Sequence, residues 1–236
     1  SGAPAQADSL YRALIDLYQT ERDSVPATYF HNRAIALEHQ DRFEAALGMH
    51  VKALTAFRDQ YGNAHPAVAN ALARMAFTYQ RADRHVRADS LHRKALAMRR
   101  ALLPPTHPHL ASSLVRYGWL LVEQGRVAEA RAKAEEGLSI LTSLLPEGHW
   151  QIAAARSVLA LCDMAEGRFA AAEGPLRSQF EQARDQFGPQ DWRARTAARA
   201  LVQLYRTWRK PDQSARYAEW LASTHSGEAP ARLPTR

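Results

Sequence analysis

From His65 onwards the chain sets apolar and polar residues in helical rhythm. His65 and Pro66 open a segment, "AVANALARMAFTYQ", in which Ala69, Leu72, Met75, Ala76 and Tyr79 recur three or four residues apart on one face. "RADRH" turns the chain. "VRADSLHRKALAMRRAL" then repeats the rhythm, with Ala88, Leu91, Ala95, Leu96 and Met98 facing inward. "LLPP" stops the second segment, since proline lacks the N–H that a continuing helix needs. The pattern predicts two helices joined by a short turn.

That pair is one unit of a repeat. His65-Pro66 recurs as His107-Pro108, 42 residues later, and the same step leads to His149-Trp150 and Asp191-Trp192. Each is a polar helix-opening residue followed by Pro or Trp. A basic residue keeps the same register in five units: Arg42, Arg84, Arg126, Arg168 and Lys210. Small residues do so too: Ala34, Ala76, Gly118 and Ala160 in one series, Ala46, Ala88, Ala130, Ala172 and Ser214 in another. Helices approach closely only over small side chains, so these series predict where the two helices of each unit cross. A third series, Ala53, Ala95 and Gly137, gives way to Gln179 and Leu221, as terminal repeats with one neighbour do.

The pattern resembles the tetratricopeptide repeat in the 42-residue form of kinesin light chains. The matching stretches are "AHPAVANAL", "THPHLASSL", "GRVAEARAKAEEGL", "GRFAAAEGPL" and "DSLHRKALAMRRAL", over about Thr28 to Thr224. The resemblance implies an all-α fold, a right-handed α-solenoid of five helix pairs plus an N-terminal half-repeat helix. Within it, "ADSLYRALIDLYQTER" echoes a second helix lacking its first, so residues 1–22 are expected to be a half-repeat or cap, in a chain cut from a longer array or capped there. Residues 23–224 are expected to form the array. The polar, proline-containing "HSGEAPARLPTR", 225–236, is expected to be a disordered tail. The closing repeats, "LLPEGHWQIAAARSVLALCDMAEGRFAAAEGPL" and "ALVQLYRTWRKPDQSARYAEWL", also resemble arrays attached to bacterial serine/threonine protein kinases. The kinase's glycine-rich loop and His-Arg-Asp loop are missing, so no catalytic residue carries over.

Composition agrees with a folded helical chain: 46% of its 236 residues are hydrophobic, and long β-branched alternations are lacking. No apolar run approaches the roughly 20 residues that span a bilayer. The cytoplasm is the default compartment, with an extracytoplasmic one following if the chain was cut from a membrane-anchored signalling protein. The single cysteine, Cys162, rules out an internal disulfide. A net charge of +7 favours acidic partners, but the cations alternate with acids along the chain, unlike a nucleic-acid arm. Trp150 and Trp192 hold the helix-entry place of Pro66 and Pro108, which makes them junction packing and leaves nucleic acid an improbable ligand.

His65, His107 and His149 invite a metal reading. Neighbouring first helices lie about 8 to 10 Å apart, whereas zinc holds nitrogens at about 2.0 Å, so repeats cannot share an ion. We read these histidines as helix-entry residues and expect neither metal nor cofactor. No catalytic motif appears, so no enzyme activity is expected.

The first helices offer a better surface. A solenoid binds along its concave face, and on that face Ile35, Phe77, Trp119 and Leu161 form an apolar series, turning polar at Gln203. Asn32, Arg74 and Arg116 lie three residues before it, Arg81 four residues after Phe77, and Asn70 one turn before Arg74. The set Asn32, Ile35, Asn70, Arg74, Phe77, Arg81, Arg116, Trp119 and Leu161 suits a protein segment or peptide with apolar anchors and acidic flanks. The competing reading buries the apolar series between helices. Kinesin light chains clamp peptide backbone with paired asparagines here, and only Asn32 survives of them, so the ligand is expected to differ. Arg156 and Asp163 occupy positions that are usually apolar; we expect a buried charge network reaching Arg199 or Arg193. A sensor or scaffold role in a larger bacterial signalling protein, and self-association through repeat ends, are the alternative functions.

Overall fold

The computed structural model describes residues 2–21 and 24–224. Among them are eleven helices and no strand: α1 (Gly2–Thr20), α2 (Ala27–Glu38), α3 (Phe43–Tyr61), α4 (Pro66–Arg81), α5 (His85–Leu102), α6 (Pro108–Glu123), α7 (Val127–Leu144), α8 (Trp150–Ala165), α9 (Phe169–Phe187), α10 (Trp192–Thr207) and α11 (Pro211–Ser223). The fold is all-α, of the solenoid type. The tail expected at 225–236 lies outside the described residues, as do residues 1, 22 and 23. The chain divides into two compact units, 1–120 and 121–236.

The recurring histidines cap helices with their own rings. His65 Nδ1 accepts the Ala67 N–H at 3.1 Å, His107 Nδ1 that of His109 at 3.1 Å, and His149 Nδ1 that of Gln151 at 3.2 Å. Asp191 Oδ1 takes the same role for Arg193 N–H at 2.8 Å. A first-turn N–H has no partner within its helix, so a side-chain acceptor here satisfies a group that would otherwise be orphaned. Proline follows His65 and His107 at no cost, because the N–H it removes would be unbonded anyway.

The basic series keeps its register through the backbone. The N–H groups of Arg42, Arg84, Arg126, Arg168 and Lys210 each reach back to the carbonyl five residues earlier, at 2.8 to 3.0 Å. The residue before each has positive φ: Asp41, Asp83, Gly125, Gly167 and Arg209. This is the left-handed closure of a helix C-terminus, after which the basic residue becomes the N-cap of the next helix. Glycine takes that conformation without a Cβ clash; Arg209, at φ 59°, does not have that freedom.

The small residues sit where expected. Ala34, Ala46, Ala76 and Ala88 in the first unit, and Ala130 and Ala172 in the second, are all 0% exposed. Ser214 replaces alanine in α11 and satisfies its hydroxyl on the Val202 carbonyl at 3.2 Å. The first unit's core gathers Ile15 of α1, Phe30, Leu54, Phe57, Val68 and Leu72. In the second, Phe180 meets the edges of Tyr217 and Trp220 at centroid distances of 5.4 and 4.7 Å, among Leu176, Leu201 and Leu204. Such edge-to-face pairs add about 0.5–1.5 kcal/mol beyond area burial.

Candidate functional site

In the first unit the helices α2, α4 and α6 carry the predicted binding residues in successive repeats. Ile35 and Trp119 are half-buried, with part of each surface open to solvent. Phe77 is not: it is 1% exposed, beneath the Arg116 guanidinium 4.3 Å from its ring centroid and beside Trp119 at 6.1 Å. The competing, buried reading holds at this position. An aromatic ring finds more apolar area by packing than by facing water, and its electron-rich face attracts the cation laid over it.

The polar members divide in the same way. Arg74 remains 30% exposed while its Nη1 lies 3.6 Å from Glu38 Oε2. Arg81 is drawn inward: Nη1 donates to the Glu38 carbonyl at 3.0 Å, Nη2 to Asp41 at 2.5 Å, and its side chain is 14% exposed. It ties α4 to the turn that closes α2. Asn70, expected on the binding surface, instead accepts from Arg99 Nη2 at 2.6 Å. Asn32 donates to the Tyr11 hydroxyl at 3.1 Å. Leu161 belongs to the second unit, where it packs half-buried against the core that includes α10. The open part of the predicted set in the first unit therefore centres on Ile35, Arg74, Arg116 and Trp119.

Beneath Arg74 lies a polar network that sequence reading did not anticipate. Glu38 is 3% exposed; its Oε1 accepts from the Thr78 hydroxyl at 2.5 Å and lies 2.7 Å from His50 Nε2. Burial alone would raise this carboxyl, but the His50 hydrogen bond, the Arg74 charge and Thr78 hold it down at about 2. The neighbouring His31, whose ring meets His50 at 6.0 Å, is lowered to about 4 by burial and then by the His50 and Arg74 charges. One repeat later His92, 1% exposed and stacked on Tyr117 at 5.6 Å, is lowered to about 3, first by burial and next by Arg116. Neither ring nitrogen of His92 has a hydrogen-bond partner. Arg99, 5% exposed, bonds Ser113 Oγ and the His109 carbonyl, both at 2.5 Å. Burial lowers it to about 10, so it stays charged at neutral pH. The only sequence signal for this set was its register: Glu38 with Gln80 and His50 with His92 are each one repeat apart.

The charge network of the second unit also differs from expectation. Arg156 is not buried; its long stem carries the guanidinium outward to Glu147 at 2.6 Å. Asp163 meets Arg131 at 2.9 Å and Arg168 at 2.6 Å, and Glu166 bonds both arginines too. Neither Arg199 nor Arg193 takes part. Arg193 pairs with Asp191 at 3.1 Å and lies 4.1 Å over Phe187, 5.3 Å from Trp150 and 5.1 Å from Trp192. The two helix-entry tryptophans thus pack round an arginine at the repeat junction. Cys162 is fully buried, its thiol raised first by that burial. Among the described residues no three His, Cys, Asp or Glu side chains converge as a metal site, and no helix is long and apolar enough to cross a membrane.

Helix pairs of constant period, crossing over alanine and closed by one recurring turn, define a solenoid of the class that presents extended surfaces for protein interaction. The tetratricopeptide repeat family model matches residues 24–101 and 68–143, about half of the chain together, and the chain belongs to that family. Among solved structures it is similar to BtubC (BKLC) from P. vanneervenii, with a TM-score of 0.63 and 15% identity over 99% of this chain and 94% of that one. It is also similar to the nearly identical TPR-like repeats of a kinesin light chain from Podosopora anserina, with a TM-score of 0.59 and 16% identity over 86% and 97% of the two chains. The apo form of the quorum sensor NprR from B. thuringiensis aligns with a TM-score of 0.65 and 12% identity, over 92% of this chain and 70% of that one. No curated protein matches the sequence. Tetratricopeptide repeats serve as protein–protein interaction modules, and that much carries to this chain.

Proposed function

We propose that the chain is a non-catalytic binding module whose first-helix surface in the first unit takes a peptide or protein segment with apolar anchors and acidic flanks. The observation that carries this reading is the pairing of Arg116 with Phe77 beside a half-buried Trp119. The buried ring orients a cation next to a partly open indole, with Arg74 contributing a second charge one repeat away. A carboxylate can take the guanidinium while apolar side chains lie on Trp119 and, two repeats earlier, on Ile35. Cofactors play no part in it.

The test uses an array of immobilised extended peptides alternating leucine with glutamate, beside lysine and glutamine counterparts. The glutamate set should bind, and Trp119→Ala or Arg116→Glu should each weaken binding about tenfold or more, as central Trp and Arg anchors do. Equal binding by both variants would falsify the assignment. Phe77→Ala is unsuited to this test, since truncating a buried phenylalanine costs about 3–5 kcal/mol of fold stability.

A second reading makes the array the sensor or scaffold segment of a larger bacterial signalling protein, such as a serine/threonine kinase. The fold likeness to a quorum sensor supports it. Ligand-dependent change in small-angle scattering by the full chain would favour this reading, and an unchanged profile on saturation would count against it.

A further inference from the structure

The face of a first helix that meets the following pair is normally closed. In α4 it comprises Ala69, Ala73, Phe77 and Gln80, all buried. In α8 the corresponding residues are Ala153 and Ser157, both buried, with Leu161 and Met164 packed half-buried against the core that includes α10. One repeat later the same face of α10 reads Arg195, Arg199, Gln203 and Arg206, and the last three are exposed. α10 contains four arginines and no carboxylate over Trp192–Thr207.

A face left to water needs only to be polar, and a mixture of signs does that without building a field. Here the substitution goes to one sign. Arg199 and Arg206 have no ion pair among the described residues. They stand seven residues apart, about 10 Å along the axis, with the Gln203 amide between them. We infer that this face of α10 is a docking surface of the second unit, and that it seats an acidic α-helix of a partner protein. The helix lies where a following first helix would lie, and carboxylates two turns apart on it meet Arg199 and Arg206. A helix fits better than a nucleic-acid backbone because these cations form one narrow ridge, while other arginines of the unit are engaged with acids, as in the Arg131, Asp163, Glu166 and Arg168 network.

The probe is an alanine-rich helical peptide of about 20 residues with glutamates seven apart, long enough to hold its helix in water. It is titrated into the full chain beside a lysine counterpart and a DNA duplex. The glutamate peptide should bind, more weakly as salt rises, and the Arg199→Glu, Arg206→Glu double variant should lose about tenfold or more in affinity through like-charge repulsion. Both residues are exposed, so the variant's melting temperature should match the parent's, and Arg116→Glu in the first unit should leave binding of this probe unchanged. The inference is overturned if the glutamate peptide does not bind, if the DNA duplex binds as well and is lost with the same variant, or if Arg116→Glu abolishes binding instead. Failure of the binding surface in the first unit leaves these outcomes untouched, so the two proposals are tested separately.

Discussion

At the scale of single residues, buried histidines set how stability depends on pH. His92 is lowered to about 3 in the fold against 6.5 for a solvated imidazole, and His31 to about 4. The unfolded chain therefore takes up these protons first. Their contribution to stability is complete above pH 6.5 and is lost as pH falls from there towards the folded values. Glu38, lowered from 4.5 to about 2, gives the same sign in a more acidic window, below 4.5. Between pH 6.5 and 4.5 the loss belongs to the histidines. We expect the urea midpoint of the parent chain to fall across that interval, and His92→Leu to fall less steeply because it removes the buried ring that is lowered further, to about 3 against about 4 for His31. Parallel slopes for the two proteins would show that His92 does not contribute.

At the scale of elements, each helix begins and ends for a reason that is local. Histidine or aspartate capping opens the later first helices, and a left-handed residue closes them. α9 departs from local preference: it continues from Phe169 to Phe187 straight through Pro175. A proline at an interior position removes one backbone hydrogen bond and crowds the carbonyl four residues back. Packing of Leu176 and Phe180, both essentially inaccessible, holds the helix together across it. Pro175→Ala should accordingly stabilise the chain by about 1–3 kcal/mol, read as a higher melting temperature. A drop on this substitution would mean that the ring makes packing contacts worth more than the missing bond.

At the scale of the whole molecule, a repeat array shares its stability between neighbours rather than through one core. Phe180→Ala removes the ring on which Tyr217 and Trp220 converge and should cost about 3–5 kcal/mol. Hydrogen exchange should then rise in α9, α10 and α11 while α2 to α5 keep their protection. A uniform rise over all helices would argue for a single cooperative unit instead.

The amino-acid sequence by itself determined the helix pairs, their 42-residue period, the small-residue crossings and the helix-entry role of the histidines. These depend on interactions within a few residues or on one repeated contact, so periodicity exposes them. The binding surface was only partly legible. Register placed Phe77, Trp119 and Arg116 in corresponding helices, but only tertiary packing decided that Phe77 is covered and that Arg116 and Trp119 stay partly open. The same holds for Asn70 and Arg81, whose side chains are taken up by Arg99, Glu38 and Asp41. A side chain's position in its helix follows from the chain; whether it faces water or a partner depends on residues some 30 or 40 positions away, and there only the folded structure answers.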